Sequence, residues 1–343
     1  MAGKVNGVVR VAIIGPGGIS GAHVRGYNKY GEKIKVVAVC DIRDEAMKAR
    51  KQQLNDPSIR EYRDWKVMLK EMAGDIDAVD ICLPHHLHAP AIIDACAAGK
   101  HILCEKPLCI SLDEAEHVAR AVKQAGITYM SAHNQLFMPA VQEAKHMIEA
   151  GDVGRVFWLR SQDCFLPGNH SRAGWGWRAD MKTQGGGELI DTGYHPTYRL
   201  LYLARSPVVG VKSTMQRYVN FIDGEDTASV QVQFASGAVG EILTSWAYNL
   251  PYGTHQIHII GEKGQIFGSG DTLYYLPKGY SEPAVRHFTP VETFEAEISH
   301  FADCLRNGTR PIHGVEEGRQ VLEVILKAAE SAKGWQDVAM LKG

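Results

Sequence analysis

Short apolar runs alternate with helix-like stretches in the first third of the chain. Five runs rich in Val, Ile, Ala and Cys occur at residues 11–14, 35–40, 78–83, 102–104 and 128–132. Residues 90–98, closed by Gly99, predict a helix, and Ser111 with Glu114 three positions later has the pattern of a capping box at a helix start. Continuous apolar strands separated by helices predict a parallel sheet covered on both faces, and right-handed crossovers make it doubly wound.

The pattern changes near Pro139. Residues 139–150 predict a helix with proline early and Gly151 after its end. Beyond it, apolar and polar residues alternate with period two, and glycine-containing turns separate the runs, which lie at 208–219, 229–234, 239–248, 255–260 and 272–276. This pattern predicts a large open, mostly antiparallel sheet. Residues 294–306 and 315–331 return to helix.

The fold class predicted from these patterns is α/β with two domains. We expect a dinucleotide-binding domain over residues 1–132. A second domain, for substrate binding and oligomerisation, is expected over residues 133–343, with C-terminal helices that pack back on the first. An open sheet face often meets another subunit, so we expect a homodimer or homotetramer formed through this sheet.

Composition and charge narrow the range of partners. The 343 residues are 45% hydrophobic and 22% charged, and the formal net charge is -2. No basic excess points to a nucleic acid, and no apolar run approaches the roughly 20 residues of a membrane span. The first ten residues lack the apolar segment of a secretory signal. Seven cysteines without a CxxC pair predict reduced thiols in a cytoplasmic protein.

A glycine turn follows the first strand. Residues 15–20 read Gly-Pro-Gly-Gly-Ile-Ser, in which Gly15 permits the tight turn and Gly17 lets the backbone approach a pyrophosphate at a helix N-terminus. The second strand ends at Asp41, whose carboxylate would accept hydrogen bonds from an adenosine ribose and repel a 2′-phosphate. We therefore predict NAD rather than NADP as the cofactor, although the guanidinium of Arg43 could accommodate a phosphate.

Four segments together resemble the Gfo/Idh/MocA family, named for glucose–fructose oxidoreductase and inositol dehydrogenase. They are the glycine turn, Leu-Pro-His-His-Leu-His at 83–88, the run ending in Glu-Lys-Pro at 99–107, and Gly-Gly-Gly-Glu-Leu-Ile-Asp-Thr-Gly-Tyr-His-Pro at 185–196. The resemblance covers nearly the whole chain. It implies a Rossmann domain, a second domain on a large open sheet, and hydride transfer at hydroxyl or carbonyl groups of sugars, inositols or related compounds.

The resemblance and the strand-end positions together predict the site residues. The catalytic residues are Lys106, Asp191 and His195. The cofactor would contact Gly15, Gly17, Gly18, Ile19, Asp41, Arg43, Leu83, Pro84, His85, His88, Glu105 and Lys106. The substrate would contact Lys106, His133, Asn134, Trp177, Arg178, Asp191 and His195.

Each catalytic residue has a chemical reason and a plainer alternative. His195 would take the hydroxyl proton during oxidation and return it during reduction. Lys106, at the carboxyl end of the fourth strand, would stabilise a developing alkoxide. Asp191 would orient the imidazole or bind a neighbouring hydroxyl. Alternatively, His195 is a buried structural histidine, Lys106 a surface lysine, and Asp191 the N-cap of a helix that begins near Thr192 with Pro196 in its first turn.

The substrate pocket is less defined by the sequence. The faces of Trp175 and Trp177 suit the C–H faces of a sugar, and Arg178 suits hydroxyl groups or a carboxylate, but either tryptophan could simply pack under the sheet. Gln135 follows the fifth strand with His133 and stands near a point where many relatives carry arginine.

Three histidines at 85, 86 and 88 could ligate a metal, but no acid or cysteine stands at a helpful spacing, so we predict no metal. Two other functions remain open. One is a glycosidase, or glycoside-modifying enzyme, that uses NAD for transient oxidation at C3 followed by elimination. The other is a non-catalytic NAD-binding regulator, which would be expected to lack the catalytic residues.

Overall fold

The first sheet of the computed structural model has six parallel strands. The structure describes residues 3–168, 171–219 and 221–334. The strands are β1 (Val9–Ile14), β2 (Ile34–Cys40), β3 (Arg60–Tyr62), β4 (Ala78–Ile81), β5 (His101–Glu105) and β6 (Tyr129–Ala132). Their spatial order is β3-β2-β1-β4-β5-β6, so the chain reverses its direction of travel between β1 and β4. The predicted doubly wound sheet is confirmed, and the open crevice of such a sheet lies at this reversal.

Five helices connect these strands. They are α1 (Ser20–Lys29), α2 (Asp44–Leu54), α3 (Trp65–Glu71), α4 (His88–Ala97) and α5 (Leu112–Ala125). Ser111 caps α5 by accepting a hydrogen bond from the Glu114 N–H, whereas the Glu114 side chain returns to the N–H of Ile110, not to that of Ser111. The strand β3 was missed because its three residues, Arg-Glu-Tyr, are polar and lie at the sheet edge.

Alternate residues of the central strand face the two sides of the first sheet. Ala12 and Ile14 belong to one buried cluster, and Val11 and Ile13 belong to another. This alternation explains why the strand is apolar throughout, since helices cover both faces.

The second sheet has eight strands. They are β7 (Val156–Cys164), β8 (Val208–Gln216), β9 (Thr227–Phe234), β10 (Val239–Ser245), β11 (Ile257–Gly261), β12 (Gly264–Ser269), β13 (Thr272–Pro277) and β14 (Ala284–His287). Their order is β14-β13-β12-β11-β7-β10-β9-β8, in which β7 and β10 are parallel and the other neighbours antiparallel. The mostly antiparallel sheet is confirmed. The strands β7, β12 and β14 were missed. Strand β7 contains the polar run Arg-Ser-Gln-Asp before its last residue, β12 contains two glycines, and β14 has only four residues.

Six further helices follow β6 in the described ranges. They are α6 (Pro139–Ala150), α7 (Arg172–Trp175), α8 (Met181–Gln184), α9 (Tyr194–Ala204), α10 (Thr293–Asn307) and α11 (Val315–Ser331). Helix α9 lies against the inner sheet face, where Leu200 shares a buried cluster with Leu159 and Ile242. The outer face carries partly exposed aromatic side chains, including Phe267 and Tyr274, whose rings stack at 5.1 Å.

Helix α10 returns to the first sheet. Ile298, Phe301 and Leu305 are buried in one cluster with Val11 and Ile13. Residues after position 292 therefore complete the cover of the first sheet, whereas the boundary at 132/133 stays a prediction. Within the described ranges, no helix combines the length and the apolar character needed to cross a membrane.

Candidate active site

A cleft of about 850 Å³ opens at the carboxyl ends of the first sheet's strands. Its floor comes from the loops after β1, β2, β4, β5 and β6. Its opposite wall comes from the second domain, where α7 and the start of α9 bring aromatic and charged side chains to the same space. The topology therefore brings segments that are far apart in sequence into one crevice, at the position where open parallel sheets bind ligands.

The glycine turn forms one end of the cleft. Gly15 has a φ of +80°, and a Cβ there would lie 2.8 Å from the side chain of Leu83, so only glycine fits. The Ser20 hydroxyl donates to the carbonyl of Gly17 at 2.8 Å. Within the described residues, no protein group accepts from the backbone N–H groups of Gly18 and Ile19, which precede α1. Such unpaired donors at a helix start fit the pyrophosphate of a dinucleotide.

Asp41 directly follows β2 and lies beside this turn. Its carboxylate is 6% exposed and accepts from the Arg43 N–H at 2.8 Å and from the Arg43 guanidinium at 3.1 Å. The Arg43 side chain itself is 62% exposed and can move aside. A buried carboxylate next to a glycine turn fits the paired hydroxyls of an adenosine ribose.

Lys106 and Arg178 meet on one carboxylate at the other end of the cleft. The Lys106 Nζ lies 2.6 Å from Asp191 Oδ1 and 2.9 Å from the Asp191 carbonyl oxygen. The Arg178 Nε donates to Asp191 Oδ2 at 2.6 Å. Burial alone would raise the pKa of Asp191, but the charges of Lys106 and Arg178 hold it well below its usual range. Asp191 is therefore a permanent anion that fixes two cations in the cleft.

Asp191 does not cap the helix that follows it. Helix α9 begins at Tyr194, and its N-cap position is Gly193, so the expectation that the helix starts near Thr192 with Asp191 as its cap is wrong. Tight glycine packing shapes this segment instead. A Cβ at Gly193 would lie 2.6 Å from the Cα of Leu189, so only glycine allows the chain to pass this close to Leu189 between Asp191 and α9. Pro196 lies in the first turn of α9, as predicted.

His195 lines the cleft from the first turn of α9. Its Nδ1 lies 2.8 Å from the hydroxyl of Tyr198, one turn along the helix. Burial, reinforced by the charges of Lys106 and Arg199, lowers the pKa of His195 well below its usual range. The ring is therefore neutral near pH 7. When Nδ1 donates to the Tyr198 oxygen, Nε2 keeps a lone pair that can accept a proton.

The three histidines after β4 bond to backbone carbonyl groups and not to one another. His85 Nδ1 lies 2.8 Å from the Gln184 oxygen, His86 Nδ1 lies 3.2 Å from the Thr183 oxygen, and both ring nitrogens of His88 face carbonyls. These bonds tie the loop after β4 to α8 and to the Pro107 segment. Burial lowers the pKa of His85 well below its usual range.

Two predicted contact residues lie behind the cleft wall. His88 is fully buried, and His133 is 1% exposed, with its ring stacked on Tyr198 at 4.3 Å and its Nδ1 2.7 Å from His313 Nδ1. Neither side chain lines the cleft, so the expectation that they touch cofactor and substrate is corrected. Residues after a strand end need not point into the crevice, because the following 3-10 turn decides their direction.

The other predicted contact residues line the cleft. They are Gly15, Gly17, Gly18, Ile19, Asp41, Arg43, Leu83, Pro84, His85, Glu105, Lys106, Asn134, Trp177, Arg178, Asp191 and His195. Glu105 is anchored from below, since its Oε1 lies 3.1 Å from His23 Nε2 and its Oε2 accepts from the Lys106 N–H at 3.0 Å. Asn134 donates to the Thr293 hydroxyl at 2.9 Å. The roles of these residues stay predictions.

Aromatic rings lie around the cluster of Lys106, Arg178 and Asp191. The Arg178 guanidinium lies 4.2 Å from the Trp177 ring, and Trp175 and Trp246 lie 4.5 Å apart. Trp246 and Phe165 were missed by the sequence analysis, because the strand before Phe165 was not predicted and the strand before Trp246 was predicted to run past it, to residue 248. Both line the cleft.

Comparisons with known proteins agree with this geometry. A sequence model described as an oxidoreductase family with an NAD-binding Rossmann fold matches residues 9–133, and a model of the GFO/IDH/MocA C-terminal domain matches residues 141–267. The chain belongs to the Gfo/Idh/MocA oxidoreductase family. The predictions of this family, of a Rossmann domain and of NAD as the cofactor are confirmed, and the residues of the glycine turn and Asp41 fit that cofactor.

Members of this Gfo/Idh/MocA family resemble the chain over nearly its whole length. The scyllo-inositol 2-dehydrogenase (NAD+) of Bacillus subtilis is 28% identical, covering 97% of this chain and 96% of its own. The myo-inositol 2-dehydrogenase of Thermotoga maritima is 25% identical, with coverage of 97% and 98%. The structure of levoglucosan dehydrogenase with NADH and levoglucosan has a TM-score of 0.84 at 24% identity, covering 95% of this chain and 97% of that one. Over 95% of its length the chain thus has the fold of an NAD-dependent oxidoreductase.

Proposed function

We propose that this protein transfers a hydride between NAD and a secondary hydroxyl or carbonyl group of a sugar, an inositol or a sugar derivative. One observation carries the proposal. A lysine ammonium held by Asp191 and a neutral imidazole, that of His195, line the same cleft as the glycine turn and Asp41. The two inositol dehydrogenases among the full-length relatives support the same substrate class.

The chain's own groups divide the work of alcohol oxidation. NAD, when bound, accepts the hydride. The neutral His195 accepts the hydroxyl proton at Nε2, while the Tyr198 hydroxyl holds the ring in place. Lys106 places a positive charge beside the oxygen on which negative charge develops, and Asp191 fixes the direction of that ammonium group. In reduction, protonated His195 returns the proton.

The walls of the substrate end suit a polyol. The rings of Trp175, Trp177, Trp246 and Phe165 line it, and flat aromatic surfaces pack against the C–H faces of sugar rings. Arg178 shares its charge with Asp191 and is 39% exposed, so its remaining N–H groups are available to hydroxyl oxygens. An aromatic box with a few fixed charges favours a neutral, hydroxyl-rich molecule.

The test is a panel of sugars, inositols and glycosides, each incubated with NAD or NADP and followed at 340 nm. We expect NADH formation with at least one polyol and a preference for NAD. Release of an aglycone without net NADH would replace this proposal with transient oxidation and elimination. Binding of NAD without turnover of any compound would favour the non-catalytic regulator.

We also propose a homodimer or homotetramer that forms through the outer face of the second sheet. The partly exposed rings of Trp158, His258, Phe267 and Tyr274 follow one another across this face. Light scattering should give a multiple of 37.8 kDa, the mass of one chain, and the Trp158→Glu variant should reduce it. A monomeric wild-type protein at micromolar concentration would contradict this assembly.

A cytoplasmic location is proposed on separate grounds. All seven cysteines lie in the described ranges, and all are free and buried. Reduced thiols and a dependence on NAD suit a reducing compartment.

A further inference from the structure

Gln135 lies beside the proposed base. It follows β6, lines the cleft, and its backbone N–H donates to the Tyr198 hydroxyl at 3.1 Å. The same hydroxyl lies 2.8 Å from His195 Nδ1. The Gln135 backbone is therefore joined to His195 through a single hydroxyl group, and Gln135 borders the same cleft as the imidazole.

A buried arginine sets the orientation of the Gln135 amide. Arg199 is 0% exposed, and its Nη1 donates to Gln135 Oε1 at 2.5 Å. A guanidinium has only donors, so the amide oxygen must face Arg199 and the amide nitrogen must point away. Arg199 is itself held in place, since it donates to the Ser161 hydroxyl at 3.2 Å and pairs with Asp163 at 3.0 Å.

The amide nitrogen of Gln135 is the group that this arrangement leaves for a ligand. In the part of the chain that the structure describes, no protein group accepts from Nε2, and the side chain borders the cleft. The amide thus offers two N–H donors at a fixed position. A donor pair held this way binds an oxygen atom and offers nothing to an ammonium group.

We propose that Gln135 is a specificity-determining residue that binds the hydroxyl group on the carbon adjacent to the reacting one, so that the substrate is a vicinal diol. This inference rests on the proposed function and refines it. The same donors select against an amino group at the adjacent carbon, because an ammonium group would meet N–H donors and find no acceptor there.

The first experiment compares wild type and Gln135→Leu on the best polyol of the panel and on its deoxy derivatives at each carbon adjacent to the oxidised one. Loss of one hydrogen bond corresponds to about a tenfold change. We expect KM for the parent to rise about tenfold in Gln135→Leu with kcat changed less. One deoxy derivative should show a similar rise in wild type and no further rise in the variant. The control is Gln124→Leu, the same substitution at an exposed position of α5, and this variant should behave like wild type.

A second variant guards against misfolding. Gln135→Glu keeps an acceptor for Arg199 but removes the donors, so the fold should be preserved. We expect it to improve the ratio of kcat/KM for the amino-deoxy derivative over the parent by at least about tenfold, because a carboxylate binds an ammonium group. Unchanged ratios in this variant, or unchanged KM in Gln135→Leu, would overturn the assignment. Absence of turnover in the wild type would refute the proposed function itself.

Discussion

Replacement of His195 by alanine tests the proposed chemistry most directly. The ring is half-buried and forms one hydrogen bond, to Tyr198, so its loss should cost about 1 kcal/mol of folding free energy. A general base contributes roughly 10²–10⁴ to the rate, which corresponds to about 3–5 kcal/mol in the barrier. Loss of turnover should therefore exceed any effect of destabilisation.

The assay separates the proton-transfer step from cofactor binding. Hydride transfer is followed at 340 nm in single turnovers, and the Kd for NAD is measured through quenching of the cleft tryptophans. We expect the rate to fall at least about 100-fold. The Kd should change less than about twofold, because Gly17 and Asp41 lie on the other domain. The control is His117→Ala at an exposed position of α5, and both its rate and its Kd for NAD should match those of wild type.

The pH dependence gives an independent check on the same residue. The base acts when it is deprotonated, and the pKa of His195 is lowered by burial and by Lys106. The rate of oxidation by the wild-type enzyme should therefore stay constant as the pH falls from 8 to about 6.5, the ordinary pKa of histidine, and should decline only below pH 6.5. The His195→Ala variant should lack this decline. A rate loss under tenfold, or an acid limb that survives in the variant, would refute the role of His195.

Three further predictions concern other parts of the molecule. Asp41→Asn removes the charge that repels a 2′-phosphate, so the dissociation constant for NADP divided by that for NAD should fall by at least about tenfold. An unchanged ratio would mean that another group sets the cofactor preference. Gly187→Ala places a Cβ against the carbonyl oxygen of Glu225, so the free energy of unfolding should drop by about 1–3 kcal/mol in a urea titration, and an unchanged midpoint would contradict the tight packing. Glu297 is fully buried without a partner among the described residues, and burial raises its pKa well above its usual range. A raised pKa in the folded state stabilises the fold at low pH, and this stability is lost as the pH rises above about 4.3, the pKa of a glutamate in the unfolded chain. The Glu297→Gln variant should therefore raise Tm more at pH 8 than at pH 5. An equal shift of Tm at both pH values would show that the carboxyl does not titrate.

The two-sheet architecture could be predicted from the sequence, because the spacing of apolar residues along a strand indicates which of its faces are buried. Strands β1, β2, β4, β5 and β6 each bury apolar residues on both faces and contain only one or two polar residues, since helices cover both sides of the sheet. Strand β9 alternates because only one of its faces is buried. The glycine turn was also readable, since the position of Gly15 leaves no space for a side chain. Each of these signals depends on local backbone geometry or on residues close in sequence.

The convergence of the site was decided by the tertiary structure. Asp191 has the local pattern of a helix cap, yet α9 begins at Tyr194 with Gly193 at its N-cap position, and the Asp191 carboxylate binds Lys106 and Arg178 instead. No sequence period encodes a contact between residues 85 positions apart.

The direction of individual side chains was likewise set by packing. His133 follows a strand end as Gln135 does, but it turns into the core against Tyr198, while Gln135 meets the cleft with its amide fixed by Arg199. The sequence thus determined the two sheets, the cofactor turn and the candidate residues. Only the tertiary structure decided which of the candidate residues form hydrogen bonds with one another, because burial and ion pairing depend on side chains of other helices and strands.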